Sequence, residues 1–270
     1  MQKETFIKQY AAGLNPQQLA AVQAVHGPVL LLAVPGSGKT TVLVTRLGYM
    51  VLCCDVPPAQ ILTMTYTVAA THEMRGRFAA RFGAELAGQM TFRTINGLSA
   101  VILQYYSRVY GRRQPELLTN EGDITRMLTD IWQQVNREFP TESTLKELRT
   151  AITYIKNMAL ADEEIEGLET DLANLPELYR RYQAALKRAG QMDYDDQMVF
   201  ALQILRAAPP VLAYFQQRYK YFCVDESQDT SKIQHEIIRL LAGRSLNLFM
   251  VGDEDQSIYG FRAAYPQALM

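Results

Sequence analysis

The sequence predicts an α/β fold, a parallel sheet flanked by helices and interrupted by an all-helical insertion, and three observations predict it. Short apolar runs alternate with helical periodicity through residues 28–110. Two further apolar runs of strand length return late, at 221–226 and 246–253. Between the two groups, residues from about 116 to 190 carry only helical spacing.

The early strands are "PVLLLAV" (28–34), "ILTMTY" (61–66) and "MTFRTI" (90–95), with helical patterns at 40–54, 68–82 and 97–110. Parallel neighbours need such crossover helices. The late strands, "YFCVDE" and "LNLFMVGD", each hand over to polar residues. In the insertion, "ITRMLTDIWQQV", "LKELRTAITYIKNM" and "LPELYRRYQAALKRAG" read as helices, the last stopping at Gly190 in the C-cap position. The expected division is 1–112 for the first part of the sheet domain, 113–190 for the helical subdomain and 191–270 for the second part. Trp132 at helical spacing is expected in the insertion's core, and Met158, Met192 and Met198 as core filler.

With 270 residues, 48% of them hydrophobic, the chain has enough apolar material for a full core. A formal net charge of -1 gives no global attraction for a polyanion, so any such contact needs a local patch. Charge is segregated along the chain. Glu116 to Glu177 holds fourteen acidic residues against five basic, while Tyr66 to Arg113 holds seven arginines against Glu73 and Glu85. Those arginines read either as solvated helix faces or as a patch. The start, "MQKETFIKQY", is polar, and no run approaches the ~20 apolar residues that span a bilayer, so a cytoplasmic protein with no membrane partner is expected. Cys53, Cys54 and Cys223 match neither a disulfide framework nor zinc spacing and are expected as buried thiols. His26, His72 and His235 lack metal spacing and are expected at the surface or in caps.

The stretch "LLLAVPGSGKTTVL" (30–43) runs a strand into a glycine turn and then a helix. Gly36 and Gly38 allow a sharp turn and close backbone approach, and the amides entering the helix converge on an anion. Lys39 supplies a charge for the β- and γ-phosphates, and Thr40 a hydroxyl for Mg²⁺. The candidate nucleotide contacts are Ala33, Val34, Pro35, Gly36, Ser37, Gly38, Lys39, Thr40 and Thr41. Ala33 stands where G-x-x-x-x-G-K-[ST] has glycine, and Pro35 has no N–H, so the donors are expected from Gly36 onward. A second acid site is expected on a neighbouring strand, at the end of "YFCVDESQDT". There Asp225 would hold the metal and Glu226 would orient or deprotonate the attacking water.

Outside the insertion nearly every segment resembles the UvrD/PcrA/Rep-like superfamily 1 DNA helicases. "LNPQQLAAV" is similar to their Q motif, "TMTYTVAATHEMRGRF" to TFTNKAAxEMRxR and "TINGLSAVIL" to TIHSF. "DYDD" (193–196) resembles the aspartate-aromatic box, "VDESQDTSKIQ" the DExQDT box, and "VGDEDQSIYGFRAA" the GDxDQSIYxWRGA segment. The resemblance implies a RecA-like P-loop NTPase sheet, with ATP and Mg²⁺ as cofactors. Its partner would be single-stranded DNA or a single/double-strand junction, along which the family moves 3′ to 5′. It implies that Gln18 reads adenine, that Gln256 senses the γ-phosphate, and that Tyr66, Tyr259 and Phe261 stack on bases. Stacking of this kind is worth about 1–3 kcal/mol per base in any sequence. Asn96 and Arg262 complete the implied DNA contacts, Arg262 on the backbone or a neighbouring acid. Val68 and Ala69 replace the family's Asn-Lys pair, Asn96 its histidine and Phe261 its tryptophan, so weaker DNA contacts are expected.

The sequence stops at Met270. The family's second RecA-like lobe, with its arginines, is not within it, so the isolated chain is expected to hydrolyse ATP slowly and not to unwind. A stand-alone nucleotide- or DNA-binding module completed by a partner stays open as the alternative. A small-substrate P-loop kinase would leave "GDEDQSIYGFR" without a use.

Overall fold

The computed structural model describes residues 1–34 and 36–253. Its strands are β1 (Val29–Leu32), β2 (Ile61–Thr65), β3 (Thr91–Thr94), β4 (Glu116–Leu117), β5 (Gln191–Met192), β6 (Tyr221–Val224) and β7 (Leu248–Gly252). Five of them form one sheet in the order β1-β7-β6-β2-β3, every pair parallel. The α-helices around the first strands are α1 (Lys3–Phe6), α2 (Pro16–Gln23), α3 (Lys39–Cys53), α4 (Val68–Phe82), α5 (Ala84–Gln89) and α6 (Ile95–Tyr110). The insertion contributes α7 (Glu121–Asn136), α8 (Glu142–Asn157), α9 (Asp162–Glu166) and α10 (Leu175–Ala189), and the return α11 (Tyr194–Ala207), α12 (Pro209–Arg218) and α13 (Lys232–Ala242).

Side chains alternate across a strand, so each central strand feeds two cores. Ile61, Cys223, Phe249 and Val251 pack with α2, α3 and α4 on one face. Leu62, Met64, Phe222, Val224 and Met250 pack with α6, α11, α12 and α13 on the other. Polar caps set the helix starts that follow β2 and β3. Thr67 accepts from the Ala70 amide and Thr94 from the Gly97 amide, each supplying a donor's missing partner.

Because all five strands run the same way, the residues leaving β1, β2, β3, β6 and β7 open on a single edge. Ala33, Tyr66, Ile95, Asp225 and Asp253 occupy those places. The sheet order corrects one expectation: β6 does not neighbour β1, because β7 lies between them. Pairing between strands so far apart in sequence is set by the tertiary fold and leaves no local signature.

The inserted helices build a separate core around Trp132, Leu148, Leu178 and Tyr182. Sequence periodicity shows no strand there, yet β4 and β5 pair in parallel where the chain leaves and returns, through Glu116 N–H to Gly190 O (2.9 Å) and Leu118 N–H to Met192 O (2.8 Å). Two residues are too few for any alternation to register. Behind this bridge, Lys156 of α8 is buried and reaches Asp193 at 2.5 Å and Asp196 at 2.8 Å, while Tyr182 of α10 donates to Asp193 at 3.1 Å.

Another buried cation, Arg46 of α3, ties α2 to the sheet. Its Nη1 donates to the carbonyls of Ala21 (2.7 Å) and Ala24 (2.5 Å), its Nη2 to Val25 (3.3 Å), and the group lies 4.2 Å above the Phe249 ring. Ala21 and Ala24 are the last turn and C-cap of α2, whose carbonyls a helix end cannot satisfy by itself, and Val25 follows the cap.

Two side-chain expectations are corrected. His235 is neither fully exposed nor a cap: it is half-buried on α13 with its Nε2 enclosed, and burial pushes its imidazole down to about 4. Cys223 is buried, but Cys53 and Cys54 at the end of α3 are half-buried, since the helix ends there at the rim of the core. Among the described residues no single helix is long and apolar enough to cross a membrane.

Candidate functional site

After β1, the Ala33 amide donates to Gly252 O (3.1 Å), which carries the chain past the sheet edge before it turns. Gly36 and Gly38 have φ of 76° and 85°, the left-handed region where a Cβ would be strained, so glycine is required at both. Helix α3 begins at Lys39, and its first backbone bond runs from Val42 N–H to Gly38 O (3.0 Å). The amides of Lys39, Thr40 and Thr41 precede that bond and have no partner inside the helix. Ser37 Oγ is buried beside them without a hydrogen-bond partner. This is an anion cradle at a helix N-terminus.

Facing it are three carboxylates. Lys39 Nζ lies 3.6 Å from Glu226 Oε2 and 3.8 Å from Asp253 Oδ2. Asp225 follows β6 directly, its amide bonded to Met64 O (3.0 Å) and its Oδ1 accepting from Glu226 N–H (3.1 Å). Burial, reinforced by the Glu226 charge, pushes the Asp225 carboxyl up to about 6, against the pull of that amide and of Lys39. The surplus of acid over the Lys39 ammonium suits a divalent cation. Mg²⁺ uses one or two protein ligands and completes its shell with water and phosphate, so a site with two such ligands would suit it. Asp225 and the half-buried Thr40 are the residues of this chain that would hold it.

Beside the cradle, Asn15, Gln17, Gln18, Leu32, Val34 and Lys39 line a cavity of about 350 Å³. Gln18 forms a capping box with Asn15, whose amide donates to Gln18 Oε1 (3.0 Å), while Gln18 Nε2 donates to Ser37 O (2.9 Å). One carboxamide thus ties the start of α2 to the glycine turn. On the same sheet edge, Tyr66, Asn96, Thr153, Asn157, Asp195 and Gln234 line a second cavity of about 230 Å³. Asn96 Nδ2 donates to Tyr194 O (3.1 Å), and Asn96 Oδ1 is buried without a partner. Thr153 and Asn157 of the insertion both donate to Asp195, at 2.9 and 2.8 Å.

Residues 14–270 match the family described as UvrD/REP helicase N-terminal domain. The chain belongs to that family. It is also similar to proteins named ATP-dependent DNA helicase PcrA. The one from Leuconostoc citreum is 35% identical over 258 residues, covering 93% of this chain and 34% of the relative. Those from Staphylococcus epidermidis and Staphylococcus aureus are 32% and 33% identical, each over 95% of this chain and 35% of the relative. The chain therefore spans about a third of the length of these curated relatives.

In this UvrD/REP-type domain the structure brings Gly36, Ser37, Gly38, Lys39, Thr40 and Thr41 to one end of the sheet with Asp225 and Glu226, and Gln18 against the same turn. Tyr66 and Asn96 meet in a different cavity of the same edge. Pro35, Gln256, Tyr259, Phe261 and Arg262 lie outside the described residues. Sequence reasoning missed three residues. Asp253 reaches Lys39, and its signal was the Gly-Asp pair ending a strand pattern. Gln228 is 3% exposed and bonded to Glu226, with no signal beyond the DExQ spacing. Tyr194, 54% exposed next to Asn96, was legible as an aromatic within "DYDD".

Proposed function

We propose that this chain is the first ATP-binding lobe of an ATP-dependent 3′–5′ DNA helicase and binds ATP, Mg²⁺ and single-stranded DNA. The observation that carries this reading is the Lys39 ammonium within 4 Å of Glu226 and Asp253, at the mouth of a turn with two left-handed glycines. The amides from Gly36 to Thr41 and Lys39 bind the β- and γ-phosphates, and Lys39 exchanges its carboxylate contacts for phosphate oxygens. Gln18 holds the adenine edge from the cavity beside it, keeping Ser37 O through its second amide hydrogen or releasing it. Mg²⁺, held by Thr40 and Asp225, would supply charge neutralisation on the phosphate oxygens. Glu226 orients a water and takes its proton as the water oxygen bonds to the γ-phosphorus. The bond from that phosphorus to the β-bridging oxygen breaks, and ADP and phosphate leave.

Tyr66, Asn96 and Tyr194 form the strand-facing side, and the roles the resemblance implies for Tyr259, Phe261 and Arg262 as DNA contacts and for Gln256 as the γ-phosphate sensor belong to the same reading. The three-part division at 113 and 190 belongs to the same reading, with the helical subdomain set beside the cavity that holds Tyr66 and Asn96. Turnover by the 270 residues alone is slow, because arginines from a second lobe or a partner complete the phosphate site; such arginines contribute about 10³–10⁵ in rate in related systems. Titration of this chain with a fluorescent ATP analogue and Mg²⁺ tests the binding claim. The Lys39→Ala chain is expected to lose at least tenfold in affinity. Equal affinity of the two chains refutes the nucleotide site, and brisk DNA-stimulated turnover by wild type refutes the slow-turnover claim.

A further inference from the structure

The turn that follows β6 is built around an unusual backbone. Glu226 has φ 50° and ψ 48°, a left-handed state that disfavours a residue with a Cβ. Asp229 N–H closes on Glu226 O (3.0 Å), so the left-handed residue opens a short 3₁₀ turn over Ser227–Asp229. The Gln228 side chain folds back over this turn. Its Nε2 donates to Glu226 Oε2 at 2.7 Å, and its Oε1 accepts from the Asp253 amide at 3.0 Å. Donor on one side and acceptor on the other fix which way the carboxamide points. The turn lies hard against β7, since a Cβ on Gly252 would sit 2.5 Å from Ser227 Oγ and 3.1 Å from Gln228 Oε1.

The Gln228 bond falls on Oε2, the same oxygen that faces Lys39 at 3.6 Å. The Glu226 side chain is nonetheless 44% exposed. A buried amide thus holds one oxygen of an otherwise accessible carboxylate, and the amide is itself keyed to the backbone at the end of β7.

We propose that Gln228 is a positioning residue: keyed by the Asp253 amide, it fixes Glu226 Oε2 so that Oε1 is presented to the attacking water. This rests on the hydrolytic role given to Glu226 above. A residue that only clamps the turn to β7 would damage nucleotide binding and hydrolysis together. A positioning residue separates them, because its two side-chain bonds go to Glu226 and the Asp253 amide and not to the cradle amides or Lys39.

The test is single-turnover phosphate release from ATP and Mg²⁺, with nucleotide affinity measured in parallel, on the wild-type chain and on Gln228→Met, Gln228→Glu, Glu226→Gln and the double variant Glu226→Gln/Gln228→Met. Gln228→Met removes both bonds at similar volume. Gln228→Glu keeps an acceptor for the Asp253 amide and loses the donor to Glu226. Both are expected to slow phosphate release by about 10–100-fold with affinity within about twofold, the scale of a misplaced catalytic group. In the Glu226→Gln background, Gln228→Met is expected to add nothing, since residues acting as a unit are non-additive. The inference is overturned by wild-type release from both Gln228 variants, by an equal loss in the Glu226→Gln background, or by loss of affinity in step with rate. Wild-type release no faster than that of Lys39→Ala overturns it as well. A wild-type chain that binds no nucleotide refutes the underlying reading itself.

Discussion

Arg46 offers the sharpest test of how the glycine-turn end of the sheet is assembled. Replacing it with methionine keeps the apolar stem and removes the guanidinium. Two of its bonds, to Ala21 O at 2.7 Å and Ala24 O at 2.5 Å, are short and charge-assisted, and the residue is 2% exposed. Hydrogen bonds to a charged group contribute about 1.5–3 kcal/mol each, and carbonyls left buried without a donor carry their own penalty. Relief of the guanidinium's desolvation, which holds it below its ordinary proton affinity, works in the opposite direction. The net expectation is a loss of about 3–5 kcal/mol, a large share of the roughly 5–15 kcal/mol that holds a typical domain together. Urea unfolding followed by circular dichroism should show the midpoint falling with an unchanged slope. Arg46→Lys, which can reach fewer carbonyls, should recover only part of the loss. A loss below about 1 kcal/mol for Arg46→Met would mean that water satisfies the end of α2, and the argument for Arg46 as its anchor would fail.

Other expectations follow from contacts already described. Lys156→Met leaves the buried Asp196 and the half-buried Asp193 without their ammonium, so a loss of about 3–5 kcal/mol is expected in urea unfolding, partly restored by adding Asp196→Asn. A Cβ on Gly48 of α3 would lie 2.2 Å from the Phe82 ring, which is wedged against Phe6, Tyr10 and Phe78. Gly48→Ala should therefore cost about 1–3 kcal/mol by overpacking, read as a lower melting temperature. His235 stays neutral in the fold down to about pH 4, whereas the unfolded chain takes up its proton near 6.5. Stability from this group is therefore intact above pH 6.5 and drains away between 6.5 and 4. At pH 5 the loss is about 2 kcal/mol, and comparison with His235→Phe isolates it from Asp225, which acts in the opposite sense below pH 6. Parallel pH-stability curves for the two chains would remove His235 as the cause.

The parts of this molecule that announce themselves locally were legible in its sequence. The turn through Gly36 and Gly38 needs positive φ and so needs glycine, and β6 shows as an apolar run that stops at Asp225 and Glu226. The inserted helices are legible because a 3.6-residue period persists over several turns. What remained hidden depends on pairings between distant segments. That β7 separates β1 from β6 is a choice among strand partners that no single strand encodes. Asp253 becomes part of the site only through that order, which carries it to Lys39. Gln228 looks like any polar turn residue until its two partners are in place. His235 read as a surface histidine because polarity in a sequence does not tell which face of α13 is covered by other elements.

The short β4–β5 bridge has a consequence for how such a chain can change. The backbone departs at Glu116 and comes back at Gln191, residues that lie side by side, so the insertion joins the sheet domain through a pair of adjacent stubs, and α8 pins it there through Lys156, Thr153 and Asn157 to Asp193, Asp195 and Asp196. Whatever is strung between those stubs can lengthen, shrink or acquire a different surface while the stubs keep their spacing and α8 keeps its contacts to the returning chain. The acidic bundle is thus one tenant of a fixed doorway, free to vary only in the parts that lie away from α8 and from the cavity it shares with Tyr66 and Asn96.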